Sequence, residues 1–214
     1  MANVGSDSNA GDDILLLRAW HAGDRSAGQA LIRRYHEPVT RFFRTKAFKH
    51  AEDLAQRTFL GLAEAGDRFG GESSVRAFLF GIARNVLFEF YRSKKKHGPA
   101  APDFAAESLV DLSPGVSTQV AARSEMRVLL QALQRIPADL QSLLELHYWE
   151  SLSVDELASV FEIPNGTVKS RLHRARGLLH DEMQRVVASP ALLQSTQTIY
   201  AAWLGRKAER ADAR

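Results

Sequence analysis

The 214-residue sequence contains no cysteine. Disulfide staples and cysteine-based zinc sites are therefore excluded, and a reducing cytoplasm fits. No apolar run is long enough to span a bilayer, so no membrane role is expected. Residues 1–13 are small, polar and acidic. They lack the basic start and apolar stretch of a signal peptide, and they are expected to form a disordered N-terminal tail. Excess charge is scarce too: 28 lysines and arginines face 25 aspartates and glutamates, a net of +3. That excess is too small to argue for nucleic acid; the distribution of charge has to carry such a case. No His-Glu-x-x-His pattern occurs among the seven histidines. His21, His36, His50, His97, His147 and His180 are expected at the surface or partly buried. No serine or aspartate pairing suggests a nucleophile. No enzymatic activity, metal or cofactor is expected.

What is present is helical periodicity. The hydrophobic fraction is 45%, ordinary for a folded chain. Four amphipathic runs fill residues 14–96. They are Ile14, Leu15, Leu17 and Trp20; then Leu31, Ile32, Tyr35, Val39, Phe42 and Phe43; then Leu54, Ala55, Phe59 and Leu62; then Phe78, Ile82, Val86 and Phe90. Paired glycines and serines between Arg68 and Val75 mark a loop before the fourth run. Residues 97–122 change character. Gly98, Pro99, Pro102, Pro114 and Gly115 break helices, and the charges are Asp103, Glu107 and Asp111. This is an acidic linker, mostly extended, or a plain tether.

A second helical block covers residues 123–187. Leu129, Leu130, Leu133 and Ile136 mark a helix stopped by Pro137, and Leu140, Leu143, Leu144 and Tyr148 mark the next. Ser153-Val154-Asp155-Glu156 is a capping box opening a short helix through Leu157, Val160 and Phe161. Ile163-Pro164-Asn165-Gly166 breaks the chain, and another helix follows at once. Two short helices joined by a tight turn make a helix-turn-helix. In the second helix Val168, Leu172, Ala175 and Leu179 share one face. The others carry Lys169, Ser170, Arg171, His173, Arg174 and Arg176, with no acid between Gly166 and His180. A solvated surface helix usually mixes both signs; this pattern suits base edges and phosphates. Residues 188–214 add a helical extension, with Leu192, Leu193, Thr196, Ile199, Tyr200 and Trp203 on one face. Such a stripe needs a partner surface, either this chain's own or a regulator's. The fold class is all-α: two small helical domains joined by an acidic linker.

The segment Ile163-Pro164-Asn165-Gly166-Thr167-Val168-Lys169-Ser170-Arg171-Leu172-His173-Arg174-Ala175-Arg176 resembles the C-terminal promoter-reading domain of extracytoplasmic-function (ECF) sigma factors. Glu52-Asp53-Leu54-Ala55-Gln56-Arg57-Thr58-Phe59-Leu60 resembles the family's polymerase-docking segment. Ser74-Val75-Arg76-Ala77-Phe78-Leu79-Phe80-Gly81-Ile82-Ala83-Arg84-Asn85 resembles its minus-ten reader. The usual glycine before Leu152-Ser153 is Ser151 here. The resemblance implies an RNA polymerase sigma factor acting in the cytoplasm on core polymerase. Its partners would be the clamp of the beta-prime subunit and promoter DNA, both double- and single-stranded. An anti-sigma factor or a serine/threonine kinase would be its regulator.

Carried over residue by residue, the minus-thirty-five contacts are Gly166, Thr167, Lys169, Ser170, Arg171, His173, Arg174 and Arg176. The minus-ten contacts are Glu72, Ser73, Ser74, Arg76, Arg84, Asn85 and Arg92. The docking residues are Asp53, Gln56, Arg57 and Leu60. The linker would lie in the RNA exit path, its acids mimicking nucleic acid. Arg57 stands where the family usually places an acid, which implies weak intrinsic docking. Thr58 beside it is a candidate phosphorylation site, since a phosphate adds about −1.5 to −2 charges; alternatively it is a small residue on the buried stripe. Two other functions stay open on the residues alone: a free-standing DNA-binding regulator, and a nucleic-acid enzyme with a helical catalytic domain.

Overall fold

A computed structural model describes residues 5–65, 69–71, 73–94, 103–109, 124–187 and 198. Eight α-helices are described: α1 (Gly5–His21), α2 (Arg25–Ala47), α3 (Ala51–Glu64), α4 (Val75–Lys94), α5 (Ser124–Leu133), α6 (Ala138–Tyr148), α7 (Val154–Phe161) and α8 (Asn165–Val186). A 3-10 turn, Phe48–His50, joins α2 to α3. Among the described residues β structure is limited to an isolated bridge between Ser108 and Pro137. The all-α expectation holds.

Helices α1 to α4 form the first bundle. Asp24 caps α2 by accepting from the amides of Ser26 and Ala27. Gly28 lets α1 and α2 approach closely: a Cβ there would lie 2.5 Å from the Trp20 ring. Leu17, Leu31, Val39, Phe43, Leu54, Leu62, Leu79, Phe80 and Leu87 are almost wholly enclosed.

Two expectations are corrected here. Helix α1 begins at Gly5, inside the stretch expected to be a disordered tail. Asp13 is buried, and its carboxylate accepts from Tyr35 and Arg34, which ties that turn to α2. A stretch whose composition reads as solvated is thus anchored by one buried acid. Helix α4 is also rotated from its expected face. Its enclosed side carries Leu79, Phe80, Ala83, Leu87 and Tyr91, while Phe78, Ile82 and Phe90 are only partly buried. The physical reason is that α4 packs on two sides, against the first bundle and against α7, so its apolar residues exceed one stripe.

In the second block α8 is the spine. Val168, Leu172, Ala175, Leu179 and Met183 face α5, α6 and α7. The capping box of α7 is formed: Ser153 Oγ accepts from the Glu156 amide, and Glu156 accepts from the Ser153 amide. The α7–α8 turn passes through Glu162 at φ 54°. Ser151 is also left-handed at φ 56°. Such a conformation crowds a Cβ against the backbone, at roughly 1–2 kcal/mol. Glu162→Gly is therefore expected to stabilise the chain by about 1 kcal/mol, after allowing for the greater freedom of glycine when unfolded. A rise in Tm of about 2–4 °C would show it; an unchanged or lower Tm would contradict it.

The two blocks share one continuous apolar core. Part of the linker is docked rather than merely extended. Residues 103–109 cross the junction with Phe104 and Leu109 buried. The Phe104 and Phe88 rings stack 3.8 Å apart. The Ala138 amide donates to Glu107 O at 3.0 Å, and the Asp139 amide to Phe104 O at 2.9 Å, which satisfies the start of α6. The expected helix in residues 188–214 lies outside the described residues apart from Thr198, as does most of the linker.

Candidate nucleic-acid interface

The helix-turn-helix presents α8 outward. Gly166, Lys169, Ser170, His173 and Arg174 are exposed, and Thr167 and Arg171 are partly so. Pro164 sets the entry to the helix, and its carbonyl accepts from the amides of Thr167 and Val168 at 2.8 and 3.0 Å. The Asn165 side-chain amide donates to Asp155 and fixes the turn. The alternation of enclosed Val168, Leu172 and Ala175 with outward cations follows from the 3.6-residue period. Arg176 differs from its neighbours. Its guanidinium donates to Leu172 O at 3.3 Å and to the Tyr148 hydroxyl at 3.4 Å. It is held along the helix flank, one turn behind the residues that project furthest.

The second candidate surface lies at α4. Asn85 and Arg92 are exposed on its outer side. Ser74 caps the helix, its hydroxyl accepting from the Ala77 amide at 3.1 Å. Ser73 is partly buried next to it, and Glu72 lies outside the described residues. The other candidates face the second block. Ser74 Oγ also donates to Glu156. Arg76 meets Glu150 at 3.3 Å, and Arg41 of α2 meets the same carboxylate at 2.7 Å. Arg84 donates to Asp139 at 2.8 and 3.1 Å and lies 4.4 Å over the Phe88 ring and 4.9 Å over Phe161. Ser74, Arg76 and Arg84 are therefore engaged by α6, α7 and the loop between them.

The sequence reading missed the acids that make this junction. Asp139, Glu145 and Glu150 are 7%, 1% and 3% exposed. Each faces a cation of the first bundle, and Glu145 meets Lys46, which is itself fully enclosed. Lys46 also donates to Phe42 O at 3.0 Å and lies 3.8 Å over the Phe42 ring. Burial pulls its ammonium below the usual lysine range, against the opposing effect of Glu145. No local signal marks a charge as buried when its partner lies about a hundred residues away; a lysine next to Phe42 and Phe43 was the available hint.

On α3, Asp53, Gln56, Arg57 and Leu60 share an exposed outer face, with Leu60 60% exposed. Arg57 meets Glu89 of α4 at 3.2 Å. Its charge is thus partly countered within the chain, although an exposed pair of this kind contributes only about 0–1 kcal/mol. Thr58 is corrected as a phosphorylation site. It is fully enclosed, and its hydroxyl donates to Leu54 O at 2.8 Å. A kinase could reach it only if α3 left the bundle. Thr58→Val is expected to change stability by less than about 1 kcal/mol, because the Leu54 carbonyl already belongs to the helix ladder. The variant is expected to transcribe like wild type in a reconstituted assay; loss of transcription with the fold intact would contradict this.

Comparison with known proteins places these surfaces in a family. Residues 31–97 match the family model "Sigma-70 region 2", and residues 126–179 match "Sigma-70, region 4". The ECF RNA polymerase sigma-E factor of Haemophilus influenzae is 27% identical over 80% of this chain and 95% of its own length. That of Escherichia coli K12 is 26% identical over 82% and 96%. Among solved structures, CnrH in complex with the cytosolic domain of CnrY aligns with a TM-score of 0.58 at 20% identity, covering 81% of this chain and 98% of that one. The sigma factor RpoE bound to the anti-sigma factor NepR of Bartonella quintana aligns at 0.56 with 22% identity, covering 73% and 96%. These two likenesses bear on the fold.

Proposed function

The chain belongs to the sigma-70 family, among its ECF sigma factors, and from that premise we propose how it divides the work of promoter recognition. Helix α8 reads the minus-thirty-five element through Gly166, Thr167, Lys169, Ser170, Arg171, His173 and Arg174, with Arg176 supporting the backbone contact. Ser73, Ser74, Arg76, Arg84, Asn85 and Arg92 serve the minus-ten strand, with Glu72. Asp53, Gln56, Arg57 and Leu60 dock on the clamp of the polymerase beta-prime subunit. The protein works in the cytoplasm, where its polymerase is. It is a transcription initiation factor and not an enzyme.

The observation that carries this reading is the acid-free outer surface of α8 between Gly166 and His180, held by a formed capping box and a tight turn. A phosphate backbone favours such one-signed surfaces, and the exposed side chains near the helix start reach base edges. Regulation by an anti-sigma partner fits the company kept by one structural relative. A kinase switch at Thr58 is not part of the proposal. The test is to add purified chain to core polymerase. Stable co-elution and initiation at defined start sites are expected, and the chain alone is expected to initiate nothing. Duplex binding without any polymerase association would favour a free-standing regulator.

A further inference from the structure

Where the 3-10 turn meets the end of α4, aromatic rings and lysines lie together on the surface. The His50 and Phe90 rings are 4.9 Å apart, and the Lys94 ammonium lies 4.4 Å over the Phe90 ring. Phe48 is 39% exposed, and Lys49, His50, Arg92 and Lys94 are exposed as well. The Tyr91 hydroxyl donates to Lys46 O and so fixes this end of α4 to the end of α2. The nearby acids are engaged elsewhere: Glu52 meets His36 and Arg44, Glu89 meets Arg57, and Asp53 belongs to the docking face of α3. Among the described residues Lys49, Arg92 and Lys94 enter no ion pair. A helix C-terminus attracts lysines through its dipole alone, and one exposed phenylalanine is ordinary. Neither accounts for exposed rings grouped with unpaired cations.

We propose that this corner is a further contact for the displaced DNA strand, in which a base stacks on the exposed rings of Phe48 and His50 while Lys49 and Lys94 hold the flanking phosphates. Single-stranded nucleic acid is the ligand that uses both features, since its base faces are free to stack and its backbone is anionic. Duplex DNA offers phosphates without free base faces, so it would engage the lysines and leave the rings idle. The proposal rests on the reading of α4 as a strand contact given above and extends it off the helix. Phe90 and Lys94 stand about 8–14 Å along α4 from Asn85, which places the corner within reach of the same strand.

The full chain is titrated against four fluorescent probes of equal length: a mixed-sequence single-stranded DNA 12-mer, an abasic 12-mer, a duplex, and single-stranded RNA of the same sequence. Phe48→Ala with His50→Ala is expected to weaken binding of the single-stranded DNA about tenfold or more, and binding of the abasic strand and the duplex by less than about twofold. His50→Phe is expected to bind as wild type does, because it keeps a ring. Lys49→Ala with Lys94→Ala is expected to weaken all four probes and to lower the single-strand salt slope by about 1.4. All these side chains except Phe90 are exposed, so helix content and Tm are expected to stay at wild-type values. Wild-type affinity of the ring variant for single-stranded DNA would overturn the site. An equal loss on the abasic strand would overturn the stacking. RNA bound about tenfold more tightly than DNA would overturn the assignment to the DNA strand. Asn85→Ala and Arg92→Ala separate this site from the reading beneath it. If they bind normally while the ring variant does not, the corner stands and the α4 contact falls; if they alone are impaired, the α4 contact stands and the corner falls.

Discussion

Glu145→Leu alone is expected to destabilise the chain by about 3–5 kcal/mol, a fall in Tm of about 6–20 °C. The Lys46 ammonium would remain fully enclosed without its counter-charge. Thr45, whose hydroxyl donates to Glu145 at 2.9 Å, and Gln141, whose amide donates at 2.7 Å, would lose their acceptor as well. Desolvating an unpaired ion is what makes the single change costly. Adding Lys46→Met removes the orphaned charge and leaves a similar volume against Phe42. The double variant is therefore expected to recover about half or more of the loss. Urea unfolding of wild type, both single variants and the double variant gives the coupling. Additive losses would mean that the pair does not act as a unit.

Lys169→Ala with Arg174→Ala is expected to abolish most minus-thirty-five-dependent transcription while leaving the fold unchanged. Both side chains are exposed on α8, so their removal should alter stability by no more than about 0.5 kcal/mol each. A base contact contributes about 1–3 kcal/mol of discrimination, so the pair predicts a loss on the order of a hundredfold. The two roles are separable. Loss of a phosphate contact weakens all sequences and lowers the salt slope by about one, whereas loss of a base contact relaxes preference at one position. Arg176→Ala should do less, because Arg176 is held against Tyr148 and Leu172 O. Full minus-thirty-five dependence in the Lys169/Arg174 double variant would remove α8 as the reader.

Elements with a single strong period were legible in the sequence. Helix α3 buries Leu54, Ala55, Phe59 and Leu62 as its spacing indicated. Helices α7 and α8, with the capping box and the turn between them, also stand where the residues placed them. Helix α4 was misread in its facing because two surfaces compete for it, and a one-face template cannot represent a helix packed on both sides. The start of α1 was missed because Asp13, a buried acid paired with Arg34 and Tyr35, looks in sequence like any solvated acid. The junction was missed for the same reason on a larger scale. In sequence Arg76 and Arg84 are candidates for the minus-ten strand, and neither Arg41 nor Lys46 is singled out, until the fold brings Glu150, Glu145 and Asp139 beside them. The candidate minus-thirty-five residues lie on one exposed helix whose acid-free face is visible from spacing, and their naming as contacts comes from the family resemblance. The exposure of the candidate minus-ten residues Ser74, Arg76 and Arg84 depends on a second block remote in sequence.

Transcription from a template pool with randomised upstream sequence tests the central claim most directly. Core polymerase supplemented with this chain is expected to yield transcripts enriched for two short elements at a fixed separation. In a parallel reaction, substitution of His173 should change the preferred bases of the upstream element and leave the downstream one unaltered. Transcripts with no enriched elements, or an enrichment that core polymerase shows equally without the chain, would contradict the account.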